Sequence, residues 1–452
     1  MAKITLRQAA AWCGGHVEEK YADIAFLGVN NDSRKLLPGQ LFLALQGERD
    51  GHDFIPMAME KGAAAVLCSR NCGDYPAIIV EDPRKALGDI ARQERLRIGM
   101  KVVGVTGSVG KSTTKEMIGA VLEGAFRVEK TPVNHNNDIG MPMAILSMSE
   151  DTQVAVLEMG MNHFGEIAYL TGIAKPDIGV IVNIGTMHIE HLGSRDGILQ
   201  AKMEILEGMG KDGCIILNRD DDKLITRKGQ TGIREIFFGQ TNEAADVFAL
   251  NVCEEENRLR FTVKSGEDTF PITLNLEGKH YVSDALAAVS VGLKMGVQPQ
   301  MIAKALEGFR NMEGRQEIFE AKGYTIIKDC YNAGPESMEA ALCVLGKRPG
   351  RRIAVLGDML ELGVNAPAEH YRLGRLAAEK ADLVLAYGPN SGRVISGAIT
   401  GGMPDAKTMA FDNRDKLVSA LKRVAKPGDV ILFKGSHGMH MELALEGFLK
   451  ET

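Results

Sequence analysis

The sequence predicts an α/β protein of three domains: a small N-terminal α/β unit, a central mostly parallel sheet, and a C-terminal doubly wound sheet. Continuous apolar runs alternate with helical patterns along most of the chain, as in parallel sheets covered on both faces. A length of 452 residues also exceeds what one hydrophobic core serves. The character of the strands then changes along the chain, which places the expected domains at residues 1–98, 99–313 and 314–452.

In the first segment, short strand-like runs (Leu41-Phe-Leu-Ala-Leu45, Ala64-Ala-Val-Leu67, Ala77-Ile-Ile-Val80) are broken by turn clusters such as Leu37-Pro-Gly-Gln40. From Lys101 the strands become continuously apolar: Val102-Val-Gly-Val-Thr106, Val154-Ala-Val-Leu157, Ile178-Gly-Val-Ile-Val182 and Cys214-Ile-Ile-Leu217. Residues Asp246 to Leu276 alternate instead, as in Leu259-Arg-Phe-Thr-Val263, and predict an antiparallel patch on the central sheet. After Gly314 a new α/β series begins with Tyr324–Asp329, Ile353–Gly357, Leu383–Gly388 and Val430–Gly435. Ligands of such a sheet belong at the carboxyl ends of its strands. No G-x-G-x-x-G string follows these strands, so a nicotinamide cofactor is not expected.

Composition narrows the function classes. Hydrophobic residues make up 45% and charged residues 25%, the balance of an ordinary globular protein. A net charge of -6 and 5% aromatic residues argue against a nucleic-acid surface. No apolar run is long enough for a membrane span and no signal-type segment opens the chain, so a cytoplasmic location is expected. Seven scattered cysteines fit a reducing compartment, with Cys68 and Cys72 read as buried thiols.

The stretch Gly107-Ser-Val-Gly-Lys-Ser-Thr113 carries the most chemistry. It lies between an apolar strand and a helix whose Met117, Ile118, Val121 and Leu122 share one face. Glycines let backbone N–H groups of Gly107, Ser108, Val109 and Gly110 turn toward a phosphate chain. Lys111 adds a cation, and the Ser112 hydroxyl suits Mg²⁺. The string departs from the strict phosphate-loop form, having Val105 five positions before Gly110. A nucleoside triphosphate, ATP or GTP, is the expected ligand.

Other chemically informative residues fall downstream, largely at strand ends. Glu158 closes one strand, His188 follows another, Asn134, Asn136 and Asn137 crowd Thr131–Gly140, and Lys202 lies in a helical run. Each alone has an ordinary explanation as a loop, cap or surface residue. Together, behind a phosphate loop, they predict an active site. Ser112 and Glu158 with nucleotide phosphates form a plausible Mg²⁺ site, and a second cation near His188 would help neutralise a transferring phosphoryl group. A GTPase switch would need an Asn-Lys-x-Asp reader, and the nearest string, Asn218-Arg-Asp-Asp221, lacks the lysine.

Gly107–Thr113, Thr131–Gly140, Glu158-Met-Gly-Met161, Asn183-Ile-Gly-Thr-Met-His-Ile-Glu-His191 and Gln200-Ala-Lys202 resemble the Mur ligases of peptidoglycan synthesis. Asp329–Met338, Gly357–Gly363 with His370, and Lys434–Glu442 are similar to the branch that joins D-alanyl-D-alanine to UDP-N-acetylmuramoyl-tripeptide. The resemblance spans nearly the whole chain. It implies an ATP-dependent amide ligase with a UDP-sugar-binding first domain, an ATP-binding central domain and a Rossmann-like third domain for the amino substrate. A monomer is expected, a call that no residue pattern carries.

The same resemblance implies residue roles. Lys111, Lys202, His188 and Arg315 would be catalytic. The nucleotide would meet Gly107 to Thr113, Asn137, Arg315 and Asp329. Two Mg²⁺ ions would meet Ser112, Glu158, His188 and Lys202, the last as a CO₂-derived carbamate. Ser33, Arg34, Asn332 and Ser337 would hold substrate. Three positions depart from the family pattern: Asp284 and Gly334 each replace a usual Asn, and His437 replaces a usual Arg. An ionised Asp284 cannot donate a hydrogen bond, which leaves the adenine side without that contact.

Overall fold

Nine strands form the central sheet of the computed structural model, which describes residues 3–255 and 258–450. Met1 and Ala2, which open the N-terminal segment, lie outside the described residues. In spatial order the strands are Asp268–Leu274, Arg258–Ser265, Val247–Glu255, Arg234–Gly239, Cys214–Asn218, Ile178–Ile181, Lys101–Thr106, Val154–Glu158 and Val128–Lys130. From Val247–Glu255 to Val128–Lys130 every pairing is parallel. The hairpins joining Val247–Glu255, Arg258–Ser265 and Asp268–Leu274 are antiparallel, as the alternating pattern predicts.

Burial follows the same division. Val154–Glu158 and Cys214–Asn218 are buried at every position, whereas Arg258–Ser265 alternates between buried and more accessible residues. Helices cover both faces of the parallel part. Met117, Ile118, Val121 and Leu122 of helix Lys111–Glu123 pack with Leu286, Val289 and Ile302 on one side. Leu87, Ile90, Ile145, Ile167 and Ile205 pack on the other. Each such side chain contributes about 1.5–3 kcal/mol of burial free energy.

The C-terminal sheet runs Glu317–Ala321, Tyr324–Asp329, Val430–Lys434, Arg352–Gly357, Leu383–Tyr387 and Thr408–Phe411, parallel except for its first pairing. Helices Ala366–Lys380 and Ser391–Thr400 approach closely on one side of it. A Cβ on Gly374 would strike the Val394 carbonyl, and one on Gly397 the Tyr371 carbonyl. The N-terminal unit holds a four-stranded parallel sheet of Val29–Asn30, Leu41–Leu43, Ala65–Cys68 and Ala77–Ile79. Among the described residues no helix is long and apolar enough to cross a membrane.

The carboxyl ends of Ile178–Ile181, Lys101–Thr106 and Val154–Glu158, three adjacent parallel strands, lead into the loops carrying His188, the glycine-rich turn and Glu158's neighbours. The C-terminal sheet presents Asp329 and Lys434 from the ends of its own adjacent strands. Both sets of strand ends line one cavity of about 1170 Å³.

Candidate active site

The turn after Lys101–Thr106 is fixed by local chemistry. Gly110 has φ +83°, and a Cβ there would lie 2.6 Å from Asp284 Oδ1, so both backbone and space require glycine. Ser108 and Val109 donate their backbone N–H groups to Asn183 Oδ1, each at 3.0 Å. Lys111 Nζ donates to the carbonyls of Gly107 at 2.8 Å and Ser108 at 3.3 Å, which folds its ammonium over the turn. Burial holds the Lys111 pKa below the usual lysine range.

Ser112, in the first turn of the helix, donates its hydroxyl to Glu158 Oε2 at 2.7 Å. Glu158 Oε1 accepts from Asn136 Nδ2 at 2.9 Å, and its backbone N–H bonds Thr131 Oγ1 at 3.0 Å. Arg315 enters from the C-terminal side. Its Nη2 donates to Ser112 Oγ at 2.8 Å, and its guanidinium lies 3.8 Å from the centre of the Tyr331 ring, a cation–π stack. The Tyr331 hydroxyl bonds Asn134. Asn137 lines the cavity, but its Oδ1 accepts from the N–H of Gly140 at 2.7 Å, so Asn136 is the amide that reaches Glu158.

His188 sits at φ +64° before a short helix, with Nδ1 2.6 Å from Glu361 Oε2. Glu361 belongs to Gly357–Gly363, and its carboxyl is held below the usual range first by His188 and also by Lys111. Lys202 is 1% exposed on helix Arg195–Met203 and, unlike Lys111, Glu158 and His188, is not among the residues lining the cavity. Burial and the Lys111 charge push its pKa well below the lysine range. Asp329 pairs with Lys434 Nζ at 2.6 Å.

Thus one cavity gathers Ser108 to Thr113, Asn137, Glu158, His188, Arg315, Asp329, Asn332 and Ser337. Gly107 is not part of the lining, and a Cβ there would lie 3.0 Å from Val182 Cβ. Ser33 and Arg34 lie elsewhere. Ser33 is buried beside Met57, and Arg34 is tied to Asp32 at 2.9 Å. Cys68 and Cys72 remain free thiols, with sulfurs 4.0 Å apart.

The three departures acquire local explanations. Burial pushes the Asp284 carboxyl up to about 7, and it accepts from Thr114 Oγ1 at 2.8 Å. That shift favours the protonated form, which unlike the carboxylate has a proton to donate. Gly334 makes room for Met187, whose Cγ would lie 2.7 Å from a Cβ there. His437 is exposed, with its ring 6.3 Å from that of Tyr331.

Comparison with known proteins decides the family. Residues 105–292 match the Mur ligase middle domain, 314–437 the Mur ligase, glutamate ligase domain, and 25–95 the Mur ligase family, catalytic domain. The chain belongs to the Mur ligase family. Over 98% of its length it is 40% identical to the UDP-N-acetylmuramoyl-tripeptide--D-alanyl-D-alanine ligase of Bacillus subtilis (strain 168), covering 97% of that protein. The crystal structure of MurF from Acinetobacter baumannii is 32% identical and superposes with a TM-score of 0.91, with both chains covered completely. MurF ligase from Thermotoga maritima in complex with ADP superposes with a TM-score of 0.82 at 30% identity, covering 94% of this chain and 97% of that one.

Proposed function

We infer that this chain is an ATP-dependent amide ligase that joins D-alanyl-D-alanine to UDP-N-acetylmuramoyl-tripeptide and forms the pentapeptide precursor of peptidoglycan. The convergence of Ser112, Glu158 and Arg315 in one cavity is the observation that carries the reading. The relatives named above supply the substrates. The proposed work is divided among residues 1–98 for the UDP-sugar end, 99–313 for ATP and 314–452 for the dipeptide. A cytoplasmic monomer is the proposed form.

The tripeptide carboxylate attacks the γ-phosphorus of ATP. This gives an acyl phosphate and ADP, and the dipeptide amine then displaces phosphate from the acyl carbon. Phosphoryl transfer depends on positioning and on charge placed where it develops. Lys111 provides that charge from the turn, and Arg315, held flat against Tyr331, provides it from the opposite domain. Asn137 and Asp329, both in the cavity lining, are assigned to the nucleotide. Asn332 and Ser337, also in the lining, are assigned to the amino substrate, while Ser33 and Arg34, outside it, are assigned to the UDP end.

Hard oxygen donors 2.7 Å apart on Ser112 and Glu158 fit Mg²⁺. Among the described residues no group of three His, Cys, Asp or Glu side chains could hold a metal alone, which fits an ion shared with phosphate. Ser112 and Glu158 would hold one ion, and His188 with a carbamate on Lys202 a second. Bound there, Mg²⁺ supplies neutralising charge for the phosphate oxygens. Burial and the Lys111 charge disfavour the ammonium form of Lys202, the direction that addition of CO₂ to its amine would need.

The test is phosphate release with ATP, UDP-N-acetylmuramoyl-tripeptide and D-alanyl-D-alanine, run with lysine and diaminopimelate tripeptides. Release that needs all three components supports the reading. Release unaffected by leaving out the dipeptide or the tripeptide overturns it.

A further inference from the structure

We propose that Glu336 receives the ammonium group of the incoming amino substrate and takes a proton from it as the amide forms. The proposal rests on the ligase reading above and adds a residue to its second half-reaction.

Glu336 lies in the first turn of helix Pro335–Gly346 and lines the cavity. Its Oε1 accepts from Thr186 N at 3.0 Å and from Thr186 Oγ1 at 3.2 Å, which ties it to the loop carrying His188. Its Oε2 is buried without a hydrogen-bond partner. Among the described residues no salt bridge links Glu336 to a cation. An acidic residue in a helix's first turn is often explained by the helix dipole, and one tied across domains by the tie itself. Oε1 alone satisfies both explanations. Neither accounts for a second carboxylate oxygen removed from water with nothing to bond, an arrangement that costs free energy until a donor arrives.

The other carboxylates near the phosphate end are engaged: Glu158 with Ser112 and Asn136, Asp329 with Lys434, and Asp284 with Thr114. Glu336 Oε2 has no bonded donor. The cavity also holds the cations Lys111 and Arg315, which repel an entering ammonium, so an anion on the acceptor side offsets that repulsion. Gly185 leaves the space Glu336 occupies, since a Cβ there would lie 2.7 Å from Oε1.

The chemistry balances as follows. The ammonium gives one proton to Oε2, and the freed lone pair attacks the acyl carbon. The C–N bond forms as the C–O bond to phosphate breaks, and phosphate leaves with that electron pair. The second proton shed by nitrogen leaves with the phosphate. A positioned proton acceptor of this kind is worth roughly 10²–10⁴-fold in rate.

The experiment compares two nucleophiles in wild type and Glu336→Gln. Hydroxylamine, largely unprotonated at neutral pH, traps the acyl phosphate as a hydroxamate and needs no carboxylate to hold or deprotonate it. The expected result is a fall of about 10²-fold or more in kcat/KM for D-alanyl-D-alanine, with ATP-dependent hydroxamate formation retained. Equal losses with both nucleophiles, or no loss with either, overturn the proposal. Thr186→Val removes the side-chain tie but leaves Oε2 in place. If it reproduces the selective loss, the tie rather than Oε2 is responsible and the proposal fails. Absence of hydroxamate from the wild-type enzyme with ATP and tripeptide would instead refute the acyl-phosphate reading itself.

Discussion

Arg315 Nη2 lies 2.8 Å from the hydroxyl of Ser112, a residue 203 positions earlier in the chain, so the C-terminal domain reaches the start of the phosphate-loop helix. Tyr331 sets the plane of the guanidinium from below. Arg315→Ala is expected to lower turnover about 10²–10³-fold, the scale of losing one preorganised charge contact. Arg315→Lys keeps the charge but loses the planar stack and the forked donors, so it should recover only part of that loss. Steady-state phosphate release reads both variants, and full activity in Arg315→Lys would show that only charge matters.

Lys111→Ala should cost turnover on the same scale, about 10²–10³-fold. Its Nζ now bonds the turn's own carbonyls, which phosphate oxygens would compete for. The turn itself should survive, because Asn183 holds the Ser108 and Val109 amides independently. ATP affinity measured by calorimetry beside turnover separates binding from catalysis, and near-normal turnover would remove Lys111 from the mechanism.

The parallel core was legible because its strands are apolar throughout and its helices keep a regular stripe, patterns imposed by burial on both faces. The strands Val128–Lys130, Arg234–Gly239, Glu317–Ala321 and Thr408–Phe411 were not, being short or polar members that borrow their hydrogen bonds from better neighbours. In the site, Lys111, Ser112 and Glu158 were readable from their spacing after strands. Glu336 and Glu361 acquire their positions only when two sheets face each other, which no local spacing records. A glutamate behind a proline at a helix start was the one available signal for Glu336, and it reads equally well as ordinary capping. Asn136 and Asn137 are adjacent and chemically identical, so only the backbone could reveal which one turns toward Glu158.

Asp284 should make stability depend on pH. Burial lifts its carboxyl to about 7, against the Thr114 hydrogen bond and Arg315, which pull it down. In the unfolded chain an aspartate titrates near about 4. Between these values the folded protein keeps a proton that the unfolded chain has lost, so stability falls as pH rises through that window and levels off above it. Asp284→Asn removes the titration. Relative to wild type it should gain about 2–4 kcal/mol between about pH 5 and about pH 8. Urea unfolding at both values measures this, and an unchanged difference would mean an ordinary carboxylate.

Gly374 and Gly397 let two C-terminal helices cross with backbones in contact. Gly374→Ala gains helix propensity but drives a methyl into the Val394 carbonyl, which backbone cannot easily yield. The net effect should be a loss of about 1–3 kcal/mol. Thermal unfolding reads the loss, and a gain in stability would show that the helices can separate freely.

Lys202 provides the sharpest chemical prediction. A lysine 1% exposed beside Lys111 cannot easily keep its proton, and the same burial that suppresses its charge makes the amine a nucleophile. Adding CO₂ would form an N–C bond, release a proton and replace an uncharged amine with an oxygen-bearing anion that suits a metal site. Lys202→Ala should therefore lose turnover about 10²–10³-fold, with stability affected less than activity. Short carboxylic acids, small enough for the vacated space, should restore part of it by supplying the missing oxygens. Wild-type enzyme in carbonate-free buffer should weaken reversibly, and labelled bicarbonate should give a carbamate carbon resonance that the variant lacks. Rescue at no acid concentration, together with a silent spectrum from the wild type, would leave Lys202 a buried amine and remove the carbamate from the mechanism.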